Sequence, residues 1–152
     1  MGLDFLGVIK VEDLQLNPEI VSKGSPSGNS YLKNVLKNIG INKKDSILDI
    51  GSAKGSALKT MLDFPFQNID GIEISSKLAE ISAKNFQKLK TNKVKIFNQD
   101  ACHFKHYNNY KYFYLYNPFP KKYFKKVIAK MDEQIKKKKY SLYTIILNVT
   151  IC

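Results

Sequence analysis

The chain has 152 residues, of which 43% are hydrophobic, and a formal net charge of +12. This length suits one globular domain with one core, and no stretch has the roughly 20 consecutive apolar residues of a membrane span. Every basic residue is a lysine, and Asn and Ile are abundant. Nucleic-acid sites usually recruit arginine, so we favour a solvated lysine surface over a nucleic-acid site.

The N-terminus does not have the pattern of a targeting segment. Residues 1–6 contain an early acid and no basic flank, unlike a signal peptide, and Leu6 breaks the myristoylation pattern. The two cysteines, Cys102 and Cys152, are far apart and form no C-x-x-C pair. We therefore expect a cytoplasmic protein that does not bind membranes.

The first 28 residues show no hydrophobic period and contain Ser, Gly and Pro in loop-forming combinations. We predict an N-terminal loop or lid segment over 1–28 and one folded domain over 29–152. The domain opens with a helix from Asn29 or Ser30, with apolar residues at helical spacing, which Gly40 ends.

The stretch from Ser46 to Leu58 is the most informative part of the sequence. Residues 46–50 predict a buried strand, and a turn through Gly51 and Gly55 leads into a helix over about 56–64. The turn lacks both the dinucleotide pattern G-x-G-x-x-G and the phosphate-binding G-x-x-x-x-G-K-[ST]. Asp49 precedes the first glycine by two residues, and an acid there suits a cationic ligand better than a phosphate.

Two further predicted strands also end in acids. Residues 68–74 carry Glu73, and residues 93–100 end at Asp100, with a helix from Ser75 or Ser76 to about Leu89 between them. Glu73 follows Asp49 by 24 residues, a spacing typical of an acid that accepts both ribose hydroxyls, although it can also cap the next helix. The three acids are expected at one edge of a parallel sheet, where open α/β folds bind ligands.

The second half of the chain predicts a short connection, a strand, a helix and a last strand. Residues 101–109 are too short for a crossover helix, and their Cys102, His103 and His106 have no second ligand pair, so no metal is expected. A strand over 110–116, a helix over 121–137 and a strand over 140–150 follow. The buried stripe of that helix is predicted to be Phe124, Val127, Ile128, Met131 and Ile135. The pattern predicts an α/β, doubly wound, mainly parallel sheet of order 3-2-1-4-5 with helices on both faces.

The turn after the first strand resembles motif I of the class I, Rossmann-like methyltransferases that use S-adenosylmethionine. That motif is D/E-x-G-x-G-x-G, which Asp49, Gly51 and Gly55 match and from which Ala53 departs. The resemblance implies S-adenosylmethionine as cofactor, with acids at the ends of the next two strands binding its ribose and adenine. The implied cofactor-binding residues are Asp49, Gly51, Ser52, Ala53, Gly55, Glu73, Ile74, Asp100, Ala101 and Asn117.

The residues after the fourth strand resemble a tetrapeptide of enzymes that methylate amino nitrogens, [DNS]-P-P-[YFW]. Asn117 and Pro118 match it, whereas Phe119-Pro120 reverses the order of proline and aromatic residue. The resemblance implies that Asn117, Pro118 and Phe119 form the catalytic acceptor pocket; a simple turn is the alternative. The acceptor stays open among small molecules, proteins and nucleic acids.

Full-length enzymes of this class continue after the fifth strand into a helix and an antiparallel hairpin, which this sequence lacks up to Cys152. The last strand is therefore expected to be an exposed edge that pairs with a partner, such as a second copy in a homodimer, or to belong to a shortened form. A non-catalytic, methyltransferase-like binding protein is the alternative function. An NAD-dependent oxidoreductase is disfavoured by the broken glycine pattern.

Overall fold

The computed structural model describes residues 2–7, 10–17, 19, 28, 30–137 and 143–148. Its sheet is parallel throughout and has the order β3-β2-β1-β4-β5. This confirms the predicted fold class and strand order. The strands are β1 Ser46–Ile50, β2 Asn68–Ile72, β3 Val94–Phe97, β4 Tyr112–Tyr116 and β5 Thr144–Asn148.

The α-helices in the described part of the chain are α1 Ser30–Asn38, α2 Ser56–Met61, α3 Ser76–Lys88 and α4 Lys121–Lys136. Three short 3-10 turns cover Val11–Leu14, Ala101–His103 and Tyr107–Asn109. The last two turns fill the connection between β3 and β4, which therefore crosses over without an α-helix, as its length predicted.

Side chains that alternate along β1 enter two separate cores. Ile47 packs with residues of α1, α2 and α3 on one face of the sheet. Leu48 and Ile50 pack on the opposite face, against the two 3-10 turns of the β3–β4 connection and α4. All five residues of β1 are buried, so the central strand holds the glycine turn in a rigid position.

Residues 2–7 pack against the domain, although their sequence shows no period. Phe5 is buried in the first core, and its ring meets the Phe86 ring edge to face at 5.6 Å. The buried Asn85 side chain donates to the Asp4 carbonyl at 2.7 Å and accepts from the Asp4 N–H at 2.9 Å. One side chain of α3 therefore satisfies both backbone groups of Asp4, as a neighbouring β-strand would.

The buried stripe of α4 differs from the one that the sequence predicted. Phe124 and Ile128 were expected in it, but both are half-buried, and Tyr123 is buried instead. The observed stripe is Tyr123, Val127, Met131 and Ile135, four residues apart at each step. The helix is rotated so that the Tyr123 ring, and with it a hydroxyl group, faces the sheet edge.

Several predicted segments lie partly outside the described residues. These include part of the predicted lid (1, 8, 9, 18 and 20–27), residue 29 at the start of the predicted domain, and the ends of the predicted last strand (140–142, 149 and 150). Within the described chain β5 is an edge strand, where Leu147 is exposed. Pairing of this edge with a second copy stays a prediction. No described helix has the length and apolar character needed to cross a bilayer.

Candidate functional site

The site predicted from the sequence lies along the carboxyl edge of the sheet. β1, β2, β3 and β4 all run in the same direction, and each is followed at that edge by some of the predicted residues. The glycine turn follows β1, Glu73 and Ile74 follow β2, and Asp100 and Ala101 come shortly after β3. Asn117, Pro118 and Phe119 follow β4. The parallel fold therefore gathers all four groups at one edge.

The turn after β1 takes its shape from three alternate residues with positive φ: Gly51 (82°), Ala53 (47°) and Gly55 (89°). The N–H groups of Gly51 and Ser52 both donate to the carbonyl of Ile72 at 2.9 Å. The end of β2 thus anchors the start of the turn. The N–H of Gly55 then closes the turn on the carbonyl of Ser52 at 2.9 Å.

The two glycines are required by close packing as well as by backbone conformation. A Cβ on Gly51 would lie 2.7 Å from Cβ of Pro118, and a Cβ on Gly55 would lie 2.6 Å from Cε2 of Phe86. Real Cβ atoms do not approach other heavy atoms so closely. The contact between Gly51 and Pro118 brings the glycine turn directly against the residues that follow β4.

Ala53 occupies the left-handed region in which the related motif has a glycine. An L-residue there costs roughly 1 kcal/mol. The Ala53 N–H donates to Oε2 of Glu73 at 2.8 Å. The structure therefore keeps the turn of the motif with alanine in it, and Glu73 holds the strained residue in place.

Glu73 is buried, with only 6% of its surface exposed. Its Oε1 accepts from the N–H of Ser75 at 2.8 Å, while Oε2 accepts from Ala53. Burial raises the pKa of this carboxyl, and the backbone hydrogen bonds oppose the rise. Each carboxylate oxygen has a second lone pair, so Glu73 can accept further hydrogen bonds while it supports the turn.

Asp49 is the next-to-last residue of β1 and is 2% exposed. No described residue provides a hydrogen-bond partner for its buried Oδ2. Burial, together with the nearby charge of Glu73, raises the pKa of Asp49 to about 8. A buried carboxylate without a partner is costly, and a positively charged ligand would remove that cost. The residues at this edge therefore fit a cationic cofactor.

Asp100 differs from the other two acids because its oxygens are already engaged. Oδ1 accepts from the N–H of Cys102 at 2.8 Å and from the hydroxyl of Tyr123, and Oδ2 lies 3.0 Å from Nδ1 of His103. Partial burial raises the pKa of Asp100, but these hydrogen bonds outweigh it and hold the pKa below its usual value. The next residue, Ala101, is buried at the start of a 3-10 turn.

The segment after β4 bends sharply at Asn117, whose φ is 40°. All residues from Asn117 to Pro120 are half-buried. The Phe119 ring meets the Tyr123 ring at 5.2 Å, and Tyr123 in turn donates to Asp100. A continuous set of contacts therefore joins the predicted acceptor residues to the predicted adenine-binding acid.

The sequence reasoning missed two residues that support the site. Tyr123 was overlooked because the stripe of α4 was assigned to Phe124, although the four-residue spacing from Tyr123 to Val127 was visible. Asn98 donates through Nδ2 to the carbonyls of Glu73 at 2.8 Å and Ile74 at 3.1 Å. It fixes the backbone after β2, and no pattern in the sequence indicates this role.

Comparison with protein families gives a match over residues 28–150 to the model described as ribosomal RNA adenine dimethylase. The matched region includes the glycine turn, the three strand-end acids and the segment after β4. Comparison with curated proteins gives no match.

Solved methyltransferases share the fold at low sequence identity. The Salinibacter ruber RNA methyltransferase, solved with S-adenosylhomocysteine, is 18% identical to this chain, with a TM-score of 0.61. The match covers 72% of this chain and 70% of that one. The Haemonchus contortus phosphoethanolamine N-methyltransferase 2, solved with S-adenosylmethionine, is 20% identical with a TM-score of 0.61, over 81% and 28% of the two chains.

The Bacillus subtilis protein YcgJ is 14% identical to the chain, with a TM-score of 0.62, and the match covers 76% of this chain and 48% of that one. The chain thus spans about half the length of YcgJ. It also spans about half of a methyltransferase-like protein from Methanococcus maripaludis, of which 53% is covered. At these identities the likeness shows the fold.

Proposed function

Because the chain belongs to the ribosomal RNA adenine dimethylase family of S-adenosylmethionine-dependent methyltransferases, we propose that it methylates the exocyclic amino nitrogen of an adenine in RNA. One observation carries the proposal. Asp49, whose buried Oδ2 has no hydrogen-bond partner among the described residues, lies at the same sheet edge as Glu73, Asp100 and the Asn117 bend. This edge combines a place for a cationic methyl donor with a polar group for an amino acceptor.

S-adenosylmethionine supplies a methyl group on a positively charged sulfur atom. Asp49 provides the negative charge that favours a cationic donor over NAD or ATP. Glu73 supplies carboxylate oxygens for ribose hydroxyls, with Ser52, Ala53 and Ile74 beside it. Asp100 and the backbone N–H of Ala101 supply an acceptor and a donor for adenine. The glycine turn keeps side-chain bulk away from the cofactor.

Asn117 and Phe119 are assigned to the acceptor. The carboxamide oxygen of Asn117 accepts a hydrogen bond from the amino group, which holds the nitrogen and turns its lone pair toward the donor. The Phe119 ring offers a face for stacking of an unpaired base. Methyl transfer is an in-line displacement, so positioning is the main contribution that the chain has to make.

The alternative is a protein that binds through this fold without turnover. Ala53 in place of the second motif glycine and the reversed Phe119-Pro120 favour this second candidate. The two candidates differ in turnover, because a binding protein transfers no methyl group to any acceptor.

The test is transfer of a labelled methyl group from S-adenosylmethionine to RNA by the full chain, comparing wild type with Asn117→Ala. We expect kcat to fall by roughly 100-fold or more on loss of a group aligned with the reacting atom, with little change in cofactor affinity. Asn92→Ala, at an exposed turn, is the matched control and should keep full activity. Equal activity of the two variants would overturn the role of Asn117; no transfer by the wild type would favour the alternative.

A further inference from the structure

Acidic residues are absent from the sequence between Asp100 and Asp132, whereas seven lysines lie there. This interval contains the β3–β4 connection, β4, the acceptor segment and most of α4. A coding bias toward lysine raises the number of lysines along the whole chain, but it does not remove acids from one interval. The charge is therefore concentrated beside the proposed active site, and composition alone does not explain it.

An open groove of about 1050 Å³ lies between the β3–β4 connection and α4. Lys105 lines one wall, and Lys126, Lys130 and Lys137 line the wall formed by α4 and its end. We name these four residues the groove lysines. Lys126 and Lys130 are separated by one helical turn, so the helix places their side chains side by side, about 6 Å apart along its axis.

The groove keeps a net positive charge, because four lysines and two acids line it. Among the described residues, no carboxylate forms an ion pair with Lys105 or Lys126. Lys130 and Lys137 share a single acid, Glu133, at 3.4 and 3.3 Å. The other acid that lines the groove, Asp100, accepts hydrogen bonds from the Tyr123 hydroxyl and the Cys102 N–H and remains a negative charge at one end of the groove.

Hydrogen bonds join the two walls of the groove and fix their relative positions. The Gln134 side chain on α4 donates to the Phe104 carbonyl at 2.6 Å and accepts from the Tyr107 N–H at 3.2 Å. At the other end Tyr123 links α4 to Asp100. A groove that exists before binding costs a ligand little reorganisation.

We propose that this groove binds the phosphate backbone of the RNA that carries the methyl acceptor. The inference rests on the proposed function and adds the surface that holds the substrate. The groove begins at Asp100 and Tyr123, and the Tyr123 ring touches Phe119 of the acceptor segment. A strand lying in the groove therefore passes directly beside the acceptor site.

The chemistry of the groove favours a nucleic-acid backbone over other anions. Lysines are flexible point charges that suit phosphate contacts without base reading, which position a strand and leave selection of the base to the site. An elongated, basic groove follows a polyanion along several charges. An isolated phosphate would use one compact site instead.

The test compares two triple variants of the full chain that lose the same charge. The groove variant is Lys105→Gln, Lys126→Gln and Lys130→Gln. The control variant is Lys43→Gln, Lys44→Gln and Lys93→Gln, whose lysines are exposed, unpaired within the described chain and close to the amino ends of β1 and β3, opposite the site. The probe is a labelled single-stranded RNA of mixed sequence, titrated by fluorescence anisotropy over a range of salt concentrations.

The groove variant should bind the RNA on the order of tenfold or more weakly, and the slope of log affinity against log salt should fall by about 2, as expected for three lost phosphate contacts. The control variant should stay close to wild type. Equal losses in both variants would indicate diffuse attraction and overturn the proposal, as would unchanged binding by the groove variant. Polyglutamate that binds through the groove lysines as tightly as RNA would point to an acidic protein instead.

Calorimetric titration of both variants with S-adenosylmethionine keeps this inference separate from the proposed function. Normal cofactor affinity with unchanged RNA binding refutes the groove alone. Absence of cofactor binding by the folded wild type refutes the function. A melting curve for each variant confirms that the substitutions, all at exposed positions, leave the fold intact.

Discussion

At Asp49, burial conflicts with charge. Its carboxyl is buried without a partner for Oδ2 among the described residues, and its pKa is raised to about 8 from an ordinary value of 3.8. The folded protein therefore keeps a proton on Asp49 at neutral pH, whereas the unfolded chain releases it. In the proposed function a cationic cofactor restores the ionised form.

This difference predicts how stability depends on pH. Since the folded pKa is raised, the stabilising contribution of Asp49 is complete below about pH 4 and is lost as the pH rises to about 8. Asp49→Asn has no proton to lose. In denaturant unfolding, the free energy of unfolding of the variant should rise relative to that of wild type across this pH range, by a few kcal/mol at the upper end. A difference in unfolding free energy that does not change with pH would contradict the buried, protonated carboxyl.

Ala53 provides a second test at the residue scale. Ala53→Gly relieves the positive φ of 47° and removes a methyl group from the turn. We expect a stability change within about 1 kcal/mol, because relief of strain is offset by the greater entropy of glycine in the unfolded chain. Cofactor affinity should rise, since the motif glycine is restored. Calorimetry that shows weaker binding by the variant would mean that the methyl group helps to shape the site.

At the scale of elements, Tyr123 joins α4 to the end of β3. Tyr123→Phe removes the hydroxyl group that donates to Asp100 and keeps the ring that meets Phe119. The loss of one hydrogen bond to a charged group predicts about 1.5 kcal/mol of destabilisation, and the Asp100 pKa should rise. Thermal unfolding and NMR titration of the carboxyl measure these effects. An unchanged Asp100 pKa would show that the hydroxyl does not hold this acid.

One side chain of α3, Asn85, bonds to the backbone of the N-terminal segment on both sides of Asp4. Asn85→Ala removes both hydrogen bonds to the backbone of Asp4 and a third to the Lys54 carbonyl at 3.2 Å. We expect a loss of roughly 2 kcal/mol and faster proteolysis near residues 2–7, because partly buried backbone groups lose their partners. The exposed Asn92→Ala serves as the control. Equal protease resistance of the two variants would show that Phe5 packing and the contacts of Lys54 and Lys88 hold the segment without Asn85.

The regular elements were predictable because each carries its own period. Strand β1 was predicted to the residue, and the order of the sheet followed from the alternation of strands and helices. The path of residues 2–7 was not predictable, since Phe5 is one isolated aromatic residue and its partner, Phe86, is far away in the sequence. The sequence predicted a strand up to Asp100, but β3 ends at Phe97, and the next residue, Asn98, bonds through its side chain to the backbone after β2.

The candidate site shows the same division. The strand-end acids and the glycine turn were predicted because parallel strands end at one edge, whatever the details of packing. The link from Phe119 through Tyr123 to Asp100 was not predicted, because it depends on which face of α4 packs against the sheet. Sequence periodicity defines a helix face only to within about one residue, and here that residue carries the hydroxyl group.

At the scale of the whole molecule, charge and function are divided between two regions. The sheet edge collects buried acids around the proposed cofactor site, while the groove lysines lie beside it on the face covered by α4. This separation lets a cationic cofactor and an anionic substrate approach the same edge along different surfaces. Asp49 and Glu73 are buried and the groove lysines are exposed, and the partly buried Asp100 lies where the two surfaces meet.

The most direct test of the central claim is calorimetric titration of the full chain with S-adenosylmethionine, with NAD and ATP as controls. We predict saturable binding of S-adenosylmethionine at one site and none of the other two ligands, because a cationic sulfur restores the ionised form of the buried Asp49 and so gains a favourable interaction. Absence of binding by protein that circular dichroism shows to be folded, or equal binding of NAD, would contradict the assignment of this sheet edge to the methyl donor.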